Sequence, residues 1–278
     1  MSPLRSILLH LDASPRSVMR LSLARDLAAQ HDATITALHA TAPSLLDLPL
    51  ASAHEPADMV SMLERTYALR RSTARSMFDR SNVGTSRMQW REQSGEPVIP
   101  GFARHALYAD LLVLGQHDAD DLQAIGVPTD FVASVLIASG RPALVVPCAG
   151  EFSTIGRNVL LAWKPTREAA RAVSAAIPLL QRAQQIHVVA DVQAGSPGAD
   201  TAELQIHLRR HGIEANLEFH PAVPPDSPGE GLLSLAADAS ADLLVMGCYG
   251  HSRARELVLG GASRTVLGSM TLPVLMAH

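Results

Sequence analysis

The sequence predicts an α/β protein built from two doubly wound, five-stranded parallel-sheet domains in tandem. Three observations predict it. The string ADLLVLG at Ala109–Gly115 returns as ADLLVMG at Ala241–Gly247. Short apolar runs alternate with helix-periodic segments in the same order around each copy, which implies parallel strands joined by right-handed crossovers. The length of 278 residues is generous for one domain and comfortable for two, each large enough to bury a core. The small, polar stretch Cys148–Gly156 marks the boundary, so the domains are expected at 1–150 and 151–278.

In the first half, Arg5–Asp12 is an apolar run ending in a carboxylate. Ser14 then reads as an N-cap with Pro15 at the first helical position, where a missing N–H costs nothing. Val18, Leu21, Ala24 and Leu27 recur at helical spacing. Ala33–Ala40 is β-branched and strand-like, and a loop with Pro43 and Pro49 leads to a long helix near Ala57–Arg80. Ser86–Glu92 alternates as a strand, Pro97 opens a helix to about Leu107, and Asp110–Gly115 is the fourth strand. A helix around Asp130–Ser139 and the strand Pro142–Pro147 close the half.

The second half repeats this order. Asn158–Trp163 is its first strand, and Thr166 caps a helix that Pro178 is expected to bend near its end. A strand ending at Ala190, a helix over Asp200–His211 and a strand ending at His220 follow. Ser227, Pro228 and Glu230 form a capping-box pattern for a helix through Ala237. The strand ending at Gly247, a helix from about Gly260 to Gly268 and the strand Leu272–Ala277 complete it.

Ala, Leu and Val carry the hydrophobicity while aromatics make up only 4%, as suits strands covered on both faces by helices. The apolar runs are far shorter than a membrane span of about 20 residues, and no signal-peptide pattern opens the chain. A cytoplasmic location away from membranes is therefore the expectation. A net charge of −4 with interspersed signs gives no footprint for nucleic acid. Arg65, Arg70, Arg71 and Arg75 fall at helical spacing and read as a solvated face. Cys148 and Cys248 belong to no CxxC pattern and read as reduced thiols. The histidines, among them His187, His207, His211 and His220, lack HxH or HExxH spacing, so no metal site is expected; His117–Asp121 reads as a solvated turn. No GxSxG elbow, P-loop, SGGxDS or HIGH-type string occurs, so no catalytic residues are assigned.

In sheets of this class ligands sit beyond the carboxyl ends of the strands at the topological switch point. That rule selects Asp12, or Trp163 and Lys164, at the end of strand one, and Gly115 or Gly247 at the end of strand four. Gly250 follows Gly247 closely, and Gly260 and Gly261 stand at the head of the next helix. Glycine lets phosphate oxygens approach the backbone, and a helix N-terminus presents N–H groups and a positive dipole end. Ala262 and Ser263 belong to that helix start; Ser263 can donate its hydroxyl, and His251, Arg253 and Arg264 offer donors nearby. The alternative is that these glycines only shape a turn and allow close packing. From spacing alone both readings stand.

The segment MGCYGHSRARELVLGGASRTVL resembles the universal stress protein (UspA-like) family, whose nucleotide-binding members carry G-x2-G-x9-G-[S/T]; Gly247, Gly250 and Gly260 match its glycines. The order of elements extends the resemblance over nearly the whole chain, as a tandem two-domain member. The resemblance implies sheet order 3-2-1-4-5 and ATP or AMP, with or without Mg, across the strand ends. It implies an aspartate ending strand one and backbone at the end of strand two against adenosine, and the glycine loop on the phosphates. Each half departs from that pattern. The first keeps Asp12, the strand-two end at His39–Thr41, and Ser134 aligned with Ser263, but Gln116, His117 and Asp118 follow Gly115 where a glycine is needed. The second keeps the glycines and Ala190, but Lys164 replaces the aspartate and Gly261 replaces the usual Ser or Thr. The expectation is an adenine-nucleotide-binding sensor or regulatory module, with the site mainly in the second half and at most slow ATPase activity. The rival expectation is a nucleotide-free scaffold acting through protein partners. In both, Pro142–Pro147 pairs with Leu272–Ala277 inside one chain, and a homodimer stays open.

Overall fold

In a computed structural model, strands and helices alternate along the described residues, which are 4–42, 56–82, 87–93, 96–121, 126–190, 198–224, 226–249 and 261–278. By its contacts the chain divides into two units, Ser2–Ser139 and Gly140–His278.

The first unit holds β1 (Ser6–His10), α1 (Ser17–His31), β2 (Thr34–His39), α2 (Pro56–Ser81), β3 (Met88–Glu92), α3 (Val98–Ala106), β4 (Leu111–Gly115) and α4 (Phe131–Ser139). Its strands run in the order β3-β2-β1-β4, and all three neighbouring pairs are parallel. The two inner strands have apolar residues on both faces: Ile7, Leu8, Leu9, Leu112, Val113 and Leu114 are all buried. That continuous burial is why β1 and β4 read as unbroken apolar runs.

Helix α1 starts later than its sequence suggests. Its N-cap is Arg16, not Ser14, and no side chain caps it. The cause is Asp12, whose Oδ1 accepts from both the Ser14 N–H and the Ser17 hydroxyl and so winds 14–17 into a turn ahead of the helix. Val18, counted in the apolar period, is 50% exposed; the buried stripe is Leu21, Ala24, Leu27 and Ala28 together with Ser17 and Arg20. On α2, Arg65, Arg71 and Arg75 are exposed and Arg70 is half-buried; Arg75 lies 5.4 Å over Phe78 and 5.5 Å over Trp90 while Arg71 pairs with Glu92 at 2.7 Å. His117–Asp121 closes as a turn in which the Asp118 carboxylate accepts from the Asp120 N–H.

The second unit holds β5 (Ala143–Val146), β6 (Asn158–Ala162), α5 (Arg167–Leu180), β7 (Gln185–Val189), α6 (Ala199–Arg210), β8 (Asn216–His220), α7 (Pro228–Asp238), β9 (Leu243–Gly247), α8 (Ala262–Ser269) and β10 (Val274–Ala277). The strand order is β5-β10-β9-β6-β7-β8. Reading β8-β7-β6-β9-β10 recovers the 3-2-1-4-5 order, all parallel. The strand that closes the first repeat lies antiparallel against the strand that closes the second, with Leu144 opposite Leu275.

Thr166 caps α5 as expected, its hydroxyl accepting from the Ala169 N–H, and the helix runs through Pro178 only as far as Leu180. Ser227 is the N-cap of α7 and Pro228 follows at its start, but the Ser227 side chain makes no capping bond, so the box is not formed. Cys148 and Cys248 are not disulfide-bonded. No helix among the described residues is long and apolar enough to cross a membrane.

The repeated ADLLV string has a structural explanation in its aspartate. Asp110 accepts from the backbone N–H groups of Arg5 and Ser6 and from the Ser6 hydroxyl. Asp242 does the same one repeat later, accepting from the N–H groups of Gly156, Arg157 and Asn158. Each carboxylate ties the entry of a first strand to the entry of its fourth, satisfying donors at the start of an inner strand that the ladder leaves over.

Candidate functional site

In the second unit β6, β7 and β9 deliver Trp163, Ala190 and Gly247 to the same carboxyl-terminal end of the parallel sheet. The Cys248 N–H donates to the Ala277 carbonyl, and Tyr249 takes a left-handed conformation at φ 55°. The buried Ser263 hydroxyl, in the first turn of α8, accepts from the Tyr249 N–H at 3.3 Å and holds that turn to the helix start. Gly261 is the N-cap of α8, so no side chain caps the first turn, and that turn contains no acidic residue. A helix start of this kind leaves backbone donors and a positive dipole end for an anion.

Gly247 is glycine for a reason of packing. A Cβ there would come within 2.5 Å of the Ala169 nitrogen and 2.7 Å of the Glu168 carbonyl carbon, because the start of α5 lies directly on the strand end. Lys164 is exposed, Trp163 is half-buried with its Nε1 lacking a hydrogen-bond partner among the described residues, and Ala190 is buried with its N–H bonded to the His220 carbonyl. Gly250, His251, Arg253 and Gly260 lie outside the described residues.

The equivalent place in the first unit is filled by the chain's own side chains. Asp12 is buried, and its Oδ1 meets the guanidinium of the equally buried Arg20 at 2.8 Å. Arg20 reaches across Gly115 so closely that a Cβ on that glycine would lie 2.2 Å from its Nη1. Burial alone would push the Asp12 carboxyl up, but Arg20, His10 and the bonds from Ser17 and Ser14 outweigh it and hold it below the usual range. His10 is buried beside this pair, its Nε2 donating to the Ala40 carbonyl and its ring 4.5 Å from that of Phe131, at the start of α4. Burial lowers its pKa from 6.5 to about 4 against the opposing pull of Asp12.

The remaining first-half residues are also engaged. His39 Nδ1 donates to the Leu11 carbonyl, and its Nε2 accepts from the Thr41 hydroxyl at 3.2 Å. The Ser134 hydroxyl donates to Asp130 at 2.6 Å. Asp12, Gly115 and Thr41 thus come together around the strand ends, but Asp12 is committed to Arg20. Sequence reasoning passed over Arg20. The available signal was a cation at the spacing of Ser17, Leu21 and Ala24, on the stripe of α1 that faces inward.

Residues 156–278 match the family model of the Universal stress protein family. The second half of the chain is therefore similar to a universal stress protein domain. The fold extends the likeness over both halves. A universal stress protein from Archaeoglobus fulgidus DSM 4304 superposes with a TM-score of 0.69 at 16% identity, covering 98% of this chain and 97% of that one. A functionally unknown protein, PA1789 from Pseudomonas aeruginosa PAO1, gives 0.55 at 15% identity over 98% and 92% of the two chains. A putative universal stress protein from Pseudomonas aeruginosa UCBPP-PA14 gives 0.53 at 16% identity with the same coverage. At these identities the likeness is one of fold, and it covers both halves of the chain. No curated protein sequence matches the chain.

Proposed function

We propose that this chain is a universal stress protein that binds an adenine nucleotide, ATP or AMP, in its second unit and works as a stress-response sensor or regulatory module, not as a dedicated enzyme. The observation that carries the reading is the contrast between equivalent places in the two repeats. In the first, Arg20 lies over Gly115 with its charge neutralised by Asp12. The alignment that sets Lys164 against Asp12 sets Ala172 against Arg20, so among the described residues no guanidinium stands at the position equivalent to Arg20, and Gly247 is instead approached by Glu168 and Ala169 at the start of α5.

The start of α8 supports a phosphate at this end of the sheet. Gly261 leaves it without a side-chain cap, Ser263 stands in its first turn, and no carboxylate in that turn repels an anion. The interaction of an anion with a helix N-terminus contributes about 0.3–1 kcal/mol, and hydrogen bonds from backbone N–H groups add to it. Exposed Lys164 supplies a cation at the end of β6, in the position where the family pattern has an aspartate. Trp163 and the backbone of Ala190 are assigned to the adenosine end. His251 and Arg253 are assigned to peripheral charge, and Gly250 and Gly260 to the phosphate loop.

The test is calorimetric titration of the full chain with AMP and with ATP, beside thermal denaturation at saturating nucleotide. Binding at about a hundredfold excess over Kd stabilises the folded state by about 2.7 kcal/mol. Gly250→Asp, which sets a carboxylate in the glycine segment, is expected to abolish both the heat and the stabilisation. Wild-type protein that yields neither overturns the reading and leaves the nucleotide-free scaffold. Magnesium-dependent phosphate release that disappears in the same variant would add slow hydrolysis to the binding role.

A further inference from the structure

Strands β7 and β8 bring together three side chains that the linear sequence keeps apart. His187 lies on β7, Glu218 and His220 on β8, and the parallel register sets His187 opposite Glu218. Alternation along a strand puts Glu218 and His220 on one face of the sheet, with His187 on the same face. There His187 Nδ1 stands 3.0 Å from His220 Nε2 and 3.5 Å from Glu218 Oε2, while His220 Nε2 stands 3.8 Å from Glu218 Oε1.

We propose that His187, Glu218 and His220 form a three-ligand site for a divalent transition ion, Zn2+ being the best fit, with the fourth position open. The spacing of the three donors accommodates an ion. Around a tetrahedral zinc with bonds of about 2.0–2.1 Å, neighbouring donor atoms stand about 3.3 Å apart. The separations of 3.0, 3.5 and 3.8 Å fall on either side of that value, the two from Glu218 being taken at different carboxylate oxygens, so rotation of the exposed Glu218 side chain and a parting of the imidazoles bring the donors into one set. Two imidazoles and one carboxylate select zinc-like ions over magnesium or calcium, which take oxygen donors. The carboxylate also supplies the negative charge that offsets part of the ion's own.

The surroundings suit a ligand set. His187 is buried to 8% exposure, which fixes its ring beside the other two donors. The amide of Gln185 donates towards Glu218 Oε2 at 3.5 Å and is itself held by Asn216 at 2.9 Å, so a second layer orients the carboxylate. Glu218 is 55% exposed and β8 is the last strand of its sheet, which gives the ion a path of entry. None of the three residues belongs to the proposed nucleotide site.

The experiment titrates the metal-free full chain with Co2+ and follows the visible absorption of a tetrahedral complex, then displaces it with Zn2+ and measures Zn2+ stoichiometry by calorimetry. One Zn2+ per chain is expected, weakened at least tenfold in Glu218→Gln and in His220→Gln. Glu218 is exposed, so its variant keeps the test valid if His220→Gln disturbs folding. His207→Gln is the control, because His207 near the end of α6 and His211, its C-cap, have ring centroids 4.6 Å apart and form the rival histidine site. It is expected to leave the stoichiometric binding unchanged. Absence of stoichiometric binding overturns the proposal, as does binding that survives in Glu218→Gln and His220→Gln or is lost in His207→Gln.

Discussion

Substituting His10 by glutamine is expected to flatten the pH dependence of stability in mildly acidic solution. The side chain is 2% exposed, packed between Phe102 and Phe131, and its Nε2 donates to the Ala40 carbonyl at 3.0 Å. Its pKa lies at about 4 in the folded chain against 6.5 when unfolded. Between those values the unfolded chain binds a proton that the folded chain does not, so stability falls as pH falls. The stability is complete above about pH 6.5 and declines until the folded histidine itself protonates near pH 4. Integrating over that interval, the loss from this one group is about 1.4 kcal/mol between pH 7.5 and 5.5, rising to about 3 kcal/mol at pH 4. Glutamine has no such titration and retains an amide donor for Ala40. Urea unfolding of the wild type and His10→Gln at pH 7.5, 6.5 and 5.5 isolates the effect, because the other histidines cancel in the difference. Parallel stability curves for the two proteins would refute the reasoning, since they would mean that the folded state accommodates a charge at this position.

Two further outcomes follow from the same geometry. Arg20→Met leaves Asp12 as a buried, unpaired carboxylate and is expected to cost about 3–5 kcal/mol in urea unfolding, with Asp12→Asn in the same chain recovering most of it. A single variant that costs less than about 1 kcal/mol would mean that water reaches the pair. Thr166→Ala removes a capping bond and is expected to lower stability by about 1 kcal/mol, whereas Ser227→Ala, which removes none, is expected to change it by only tenths; equal losses in thermal denaturation would contradict that distinction.

Much of the fold was legible because it rests on local and repeated signals. The alternation of apolar runs with helical periods, the doubled ADLLV string and the Thr166 cap each depend on residues close together in the chain. The late start of α1 was not legible, because it depends on Asp12 gathering donors from both Ser14 and Ser17. The candidate site divides in the same way. Glycine spacing pointed to the segment after β9, but the crowding of Gly247 by Glu168 and Ala169 comes from the docking of α5. Asp12 read as a ligand remnant, and only Arg20, brought across from α1, shows it committed to an internal pair.

The sequence by itself determined the class of protein, two related α/β modules, since periodicity and repetition are properties of the chain order. The tertiary structure alone decided which polar groups are engaged with one another. Asp12 with Arg20, His10 with Ala40, and His187 with Glu218 and His220 all meet across elements. Such meetings are set by strand register and helix docking, which bring distant residues within bonding distance and leave no mark on linear spacing.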